Sequence, residues 1–237
     1  MSVPGMGDSW DSILSTAYAA LDTEYQAFLA EDESYFPSKE NYFNAFKTLT
    51  KSRVKYILFG QDPYPRKESA GGYAFIDKKV QNLFSPSGLS KEVNRATSLR
   101  NFIKMALVAS GRLMKDDTSQ EAISRLDKMQ MINSIEELRL NFERNGVLLL
   151  NTALIFTDKK SSAKHIKAWR PFVRLLLAAL EKENPKLILF GAHASELKKH
   201  LLLGHFESIE MPHPYNHTFI TDKKALKLFT KMKLLEK

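Results

Sequence analysis

Cysteine is absent from the 237 residues. No disulfide framework, thiolate zinc site or cysteine-held iron–sulfur cluster can therefore exist, and any metal would need His and carboxylate ligands. Histidine is scarce as well, with six in the chain. Only His213 and His217 sit four apart, in a proline-containing loop rather than a helix, which is poor spacing for a metal site. The expectation is no metal and no cofactor. No apolar run reaches the ~18 residues of a membrane span, and the N-terminus lacks the basic-then-apolar layout of a secretory signal. These gaps point to a cytoplasmic protein without a membrane partner.

Negative charge is unevenly spread. The chain carries a formal net charge of +8, yet residues 1–34 hold seven acids and no Lys or Arg. The other 203 residues have 35 basic against 20 acidic side chains, a net of +15. A body this basic could bind a polyanion or could simply be a lysine-solvated surface. Length and a 43% hydrophobic content fit one domain over 1–237, a monomer, with an acidic helical segment over about 1–35.

Hydrophobic periodicity predicts an amphipathic helix from Trp10 to about residue 30 and a short helix from Ser38 through Phe46. Strand-like apolar runs follow at Val54–Phe59, Tyr73–Ile76, Val147–Leu150 and Leu187–Phe190, with a last strand over Phe206–Met211. Helical stretches lie near 98–112, 134–144 and 167–183, and a lysine-rich helix closes the chain over Thr221–Leu235. This alternation gives an α/β fold: a central four-stranded, mainly parallel sheet flanked by helices on both faces. Ligands of such sheets bind beyond the carboxyl ends of the strands. Two strands, VKYILFG and PKLILFG, even share an ending.

Four segments then arrive at one rim. Gly60-Gln61-Asp62-Pro63-Tyr64 follows the first strand, where a glycine permits close approach or an unusual dihedral and prolines 63 and 65 stiffen the turn. Asn151 ends the run GVLLLNT with an amide that both donates and accepts. Phe75 lies in AGGYAF after two glycines, and His213 sits between prolines 212 and 214. Taken singly, each has a plainer reading: a turn cap for Asp62, a strand-end cap for Asn151, core packing for Phe75, surface exposure for His213.

Together, GQDPY, GYAF, GVLLLNT, FGAHA and PHP resemble, in order, the family 1 uracil-DNA glycosylases. The resemblance spans roughly residues 40–235 and leaves the acidic N-terminal segment outside. It implies a monofunctional hydrolase that flips uracil out of single- or double-stranded DNA, cleaves its N-glycosidic bond and leaves an abasic site for base excision repair. By that similarity Asp62 faces the cationic sugar and orients water, and His213 donates to the uracil oxygen as charge grows there. Asn151 pairs with the uracil edge, Phe75 stacks on the base, Tyr64 excludes a 5-methyl group, and Gln61 lines the pocket. Pro63 and Ser98, the latter in TSLRN, are implied to contact DNA.

The sequence departs from the family in two places. Pro65 stands where a histidine is usual. After His213 the family continues HPSPLS, supplying a phosphate-contacting serine and a leucine wedge, whereas this chain reads HPYNHTF. Tyr215, Asn216, His217 or Phe219 would have to replace the wedge, and DNA-mimicking inhibitor proteins that grip the leucine would bind poorly. Altered base or strand preference is therefore one alternative; a DNA-binding accessory factor on the same scaffold is another. Trp169 reads as core, and the role of His165 stays open.

Overall fold

Five-residue, mostly apolar stretches build three strands of the sheet because parallel strands are covered on both faces and have no polar alternation to keep. The computed structural model describes residues 8–201 and 205–237. In chain order the elements are α1 (Asp8–Ala19), α2 (Thr23–Glu31), β1 (Tyr56–Gly60), β2 (Phe84–Ser85), β3 (Gly88–Leu89), α3 (Lys91–Arg95), α4 (Thr97–Ala109) and α5 (Gln120–Ser124). They continue with α6 (Ile135–Arg144), β4 (Val147–Asn151), α7 (Ser162–Ala179), β5 (Lys186–Phe190), α8 (His193–Leu201), β6 (Ser208–Met211) and α9 (Lys223–Met232). The four-stranded sheet runs β4-β1-β5-β6, and β1 is parallel to both of its neighbours.

The chain divides into two compact units. The first draws on residues up to 77, 146–189 and 193–208. Ile57 and Phe59 of β1, Leu148 and Leu150 of β4, and Leu187 and Leu189 of β5 bury one sheet face against α1 and α7, with Trp10, Leu14 and Trp169 in the same core. The expected single N-terminal helix is two helices. Asp22 interrupts it, its carboxylate accepting from the Glu24 and Tyr25 amides to cap α2, a local bond that a short acidic side chain makes at the expense of helix continuity. The acidic segment is thus an integral layer: Trp10, Leu14 and Leu29 are fully buried, and the Trp10 indole donates to the Leu49 carbonyl at 2.7 Å. Between residues 38 and 46 the expected helix is reduced to turns and a single 3₁₀ turn, Asn44–Phe46.

Tyr73–Ile76 is not a strand. Burial does alternate there, with Ala74 and Ile76 inside, but Phe75 adopts φ +68°, which no strand ladder accommodates. The fourth strand of the sheet is instead β6, within the expected Phe206–Met211 run.

Residues 78–145, 190–192 and 209–237 make the second unit. Its core centres on Phe102 of α4, whose ring meets Phe142 of α6, Phe219 and Phe229 of α9 at centroid distances of 5.7, 6.0 and 5.0 Å. A capping box, Ser134 with Glu137, starts α6. Buried Asn141 donates to the Leu234 and Glu236 carbonyls and pins the C-terminal residues. Among the described residues no helix is long and apolar enough to cross a membrane.

Candidate active site

Adjacent strand ends assemble a cluster of candidate residues in the first unit. Gly60 and Asn151 are register partners at the carboxyl ends of β1 and β4. A Cβ on residue 60 would lie 2.2 Å from the Asn151 amide oxygen, so the glycine of GQDPY is required for close approach. Asn151 is 5% exposed, and its short side chain is consequently held against the strand end rather than swinging in solvent. The next two residues stay tied to the β4 side: the Thr152 amide donates to the Gly60 carbonyl at 2.9 Å and the Ala153 amide to the Gln61 carbonyl at 3.0 Å.

Asp62 follows in this anchored turn, half-buried, with Pro63 buried behind it and Gln61 exposed. Its Oδ2 accepts a 2.5 Å hydrogen bond from the Ser162 hydroxyl at the start of α7. Tyr64 donates to the Phe75 carbonyl at 3.3 Å. The residue as a whole is half-buried, and burial of the phenol, with the nearby Asp77 carboxylate, raises its pKa. Phe75 itself sits in left-handed backbone, a conformation that costs a bulky residue on the order of 1–3 kcal/mol and is retained where the surroundings impose it. The Ala74 amide, donating to the Leu149 carbonyl at 3.1 Å, is part of that imposition. Gln61, Asp62, Tyr64, Phe75 and Asn151 are in this way brought together in the first unit.

His165, open in the sequence, is buried in the same unit. Its Nδ1 lies 2.7 Å from the Tyr25 hydroxyl and its Nε2 3.0 Å from the Thr157 hydroxyl. Burial is the main cause of its lowered pKa; the Lys164 charge adds to the lowering, and Asp158 and Asp62 oppose it. Trp169 is core, as expected, at 0% exposure. Among the described residues no group of three or more His, Asp or Glu side chains gathers as a metal site would need.

The second unit presents His213. The Tyr215 backbone amide donates to His213 Nδ1 at 3.0 Å. An acceptor Nδ1 leaves the single proton of the neutral ring on Nε2, which is then a hydrogen-bond donor. Although the residue as a whole is exposed, the ring packs edge-on against Phe190 at 6.1 Å, and burial pulls its pKa below the ordinary imidazole value. The neutral form is therefore favoured at pH 7.

Asn101, which the sequence reading passed over, fixes this loop: its buried amide donates to the Pro214 and Tyr215 carbonyls at 2.8 and 3.2 Å. The available signal was a lone asparagine on the apolar stripe of α4 between Leu99 and Phe102. Tyr215 is 67% exposed, and Asn216 and His217 are exposed beside it. Phe219 is fully buried against Phe102 and Phe190, which removes it from the possible wedge residues. Ser98 lies partly exposed in the first turn of α4, where Ala96 provides no side-chain cap.

Comparison with known proteins covers most of the chain. The wild-type UNG crystal structure from Nitratifractor salsuginis is 55% identical, covering 98% of this chain and 94% of that one with a TM-score of 0.96. The mimivirus uracil-DNA glycosylase is similar in fold alone, at 19% identity and a TM-score of 0.57 over 88% of this chain and 69% of its own. Among curated relatives, the uracil-DNA glycosylase of Streptococcus mutans is 27% identical over 173 residues, which are 72% of this chain and 64% of that protein. The chain thus spans slightly under two thirds of that relative's length. The model of the uracil DNA glycosylase superfamily matches residues 46–233, a stretch holding every site residue above, and the chain belongs to that superfamily.

Proposed function

We propose that the protein is a monofunctional uracil-DNA glycosylase that hydrolyses the bond between uracil and deoxyribose in DNA. The observation that carries the reading is the pairing, at neighbouring strand ends, of a buried uracil-reading amide, Asn151, with a carboxylate, Asp62, held in an anchored turn. As the glycosidic bond breaks, its electron pair leaves with uracil and the sugar becomes cationic. Asp62, as the anion, stabilises that cation and orients the attacking water, whose oxygen forms the new bond to the sugar carbon while its proton is released, by way of the carboxylate and solvent, to neutralise the departed uracil anion. His213 donates from Nε2 to the uracil oxygen gathering negative charge, a preorganised donor of the kind typically worth ~3–4 kcal/mol.

Asn151 accepts from the uracil N–H and donates to its carbonyl, a pattern cytosine cannot meet without leaving buried polar groups unpaired. Phe75 stacks on the extruded base, Tyr64 occupies the place of a thymine methyl, and Gln61 and Pro63 border the pocket. Ser98 and the exposed Asn216 and His217 contact the DNA backbone. Tyr215 is the wedge that fills the vacated stack, supported by its 67% exposure and by the Asn101 clamp on its carbonyl. The repair role is initiation of base excision, in the cytoplasm of the cell.

Substitution of the family's leucine loop supports a second reading about preference rather than chemistry, namely relatively stronger action on single strands. The same loop argues against tight capture by inhibitor proteins shaped to a leucine, and stoichiometric inhibition at nanomolar concentration would overturn that. The central test is uracil release from single- and double-stranded oligonucleotides with chelator present, comparing the protein with its Asp62→Asn variant. Release that persists with chelator and collapses in the variant supports the assignment. Equal turnover by both proteins, or DNA binding with no release by either, refutes it.

A further inference from the structure

Asp62 reaches its position with its backbone already constrained from both directions, by the Ala153 amide on the Gln61 carbonyl and by the ring of Pro63. What remains free is the side chain, and a carboxylate able to rotate would offer either oxygen to the water. Ser162 removes that freedom. Its hydroxyl hydrogen can be donated to Oδ2, and the 2.5 Å separation falls in the range of charge-assisted O–H···O⁻ bonds.

Ser162 is itself immobile. It is 8% exposed and lies in the first turn of an 18-residue helix. The preceding loop is tied down by Asp158, whose Oδ1 accepts from the Lys160 and Ser161 amides and whose Oδ2 accepts from the Ser161 hydroxyl. One turn along the helix, His165 is bonded through both ring nitrogens. The two serines of the SSAKH run therefore do different work: Ser161 closes the loop, and Ser162 alone faces the carboxylate.

We propose that Ser162 is a positioning residue for Asp62, committing Oδ2 to a protein donor so that Oδ1 is the oxygen presented to the nucleophilic water. The inference rests on the glycosylase reading above. Single-turnover cleavage of a uracil oligonucleotide at saturating enzyme tests it in Ser162→Ala, Ser162→Thr, Ser161→Ala, Asp62→Asn and the Ser162→Ala/Asp62→Asn double variant, each with its melting temperature. The expected loss in Ser162→Ala is about ten- to a hundredfold in rate at saturation with the Kd for DNA unchanged. Ser162→Thr should recover most of that loss, Ser161→Ala, which keeps the Lys160 and Ser161 amide bonds to Asp158, should show little of it, and the double variant should fall no further than Asp62→Asn.

Ser162→Ala within twofold of the parent overturns the proposal, as does an equal loss in Ser161→Ala or a further loss in the double variant. Should alanine loosen the helix and lower melting, Ser162→Thr decides: parent-like melting with turnover restored supports the proposal, and parent-like melting with turnover lost overturns it. Full activity in Asp62→Asn would instead sink the glycosylase reading, an outcome separable from all of these.

Discussion

Strand β1, YILFG, and the end of β5 with the glycine that follows it, LILFG, carry nearly the same sequence, and the strands lie side by side in register, Ile57 against Leu187 and Leu58 against Ile188. Their final glycines nevertheless serve different needs. Gly60 is required for space, since a Cβ would fall 2.2 Å from the Asn151 amide oxygen. Gly191 is required for conformation, at φ +58°, and a Cβ there would approach the His213 Cβ at 3.0 Å. One strand design thus ends in two turns, one making room for the Asn151 amide and the other shaping the backbone behind the His213 imidazole. Each glycine supports a partner far away in sequence, which is why the repeated ending carries no repeated function.

The comparison can be broken most severely at the groups the turns deliver. Asp62→Asn keeps the shape of the first turn and removes its charge. Turnover should fall about a thousandfold or more with DNA affinity retained, measured by single-turnover uracil release beside a binding titration. In the loop after β6 that packs against the second turn, His213→Gln should lower the rate about a hundredfold, the typical consequence of losing one preorganised donor. If, as proposed, each group acts on a different developing charge, the two losses should come close to adding in free energy.

How far these turns could be read in advance depends on what kind of information each residue carries. The buried runs of β1, β4 and β5 were legible to within one or two residues because a doubly covered strand leaves no polar positions to confuse it. Asp62 and His213 were legible because glycine and proline mark the turns around them, and Asn151 because it ends an unbroken apolar run, though only the family resemblance gave the three a common role. Tyr73–Ile76 was misread because apolar alternation reports which side chains are inside, whereas a strand also needs a ladder that the Phe75 dihedral forbids. Asp22 was missed as a helix break because its capping bonds compete with periodicity only locally.

Ser162 and Asn101 were illegible for a different reason. Their bonds to Asp62 and to the Pro214 carbonyl span 100 and 113 residues of chain, and nothing in the local pattern of either points to so distant a partner. Phe219 shows the converse: beside an exposed loop in sequence, it is core in space.

Substituting the glycines themselves sharpens the contrast. Gly60→Ala should displace the Asn151 amide, lowering kcat/KM on uracil about a hundredfold, as misplacement of a positioned group by an ångström can, and narrowing the preference for uracil over cytosine. Gly191→Ala should act mainly on stability, by about 1–2 kcal/mol for an L-residue forced into left-handed backbone, with a smaller loss of turnover through His213. Thermal melts and a base-preference panel on both variants check this. Equal effects on preference would mean that the two turns are not specialised as described.

The smallest effect expected is on the pH profile. Burial lowers the His213 pKa, so in the folded protein the ring stays neutral below the pH near 6.5 at which an unfolded histidine titrates. Between the folded value and 6.5 the unfolded state binds more protons. The stability tied to the neutral ring is therefore complete above about 6.5 and is lost as pH falls through that window. Turnover should follow the folded value, because protonation of Nδ1 ends its acceptance of the Tyr215 amide, and the acid limb should lie below 6.5. Ring nitrogen shifts followed by NMR would report both the Nε2–H tautomer and its midpoint. If Gly191→Ala loosens the packing on this ring, that midpoint should rise towards 6.5 in the variant, whereas Gly60→Ala should leave it where it is.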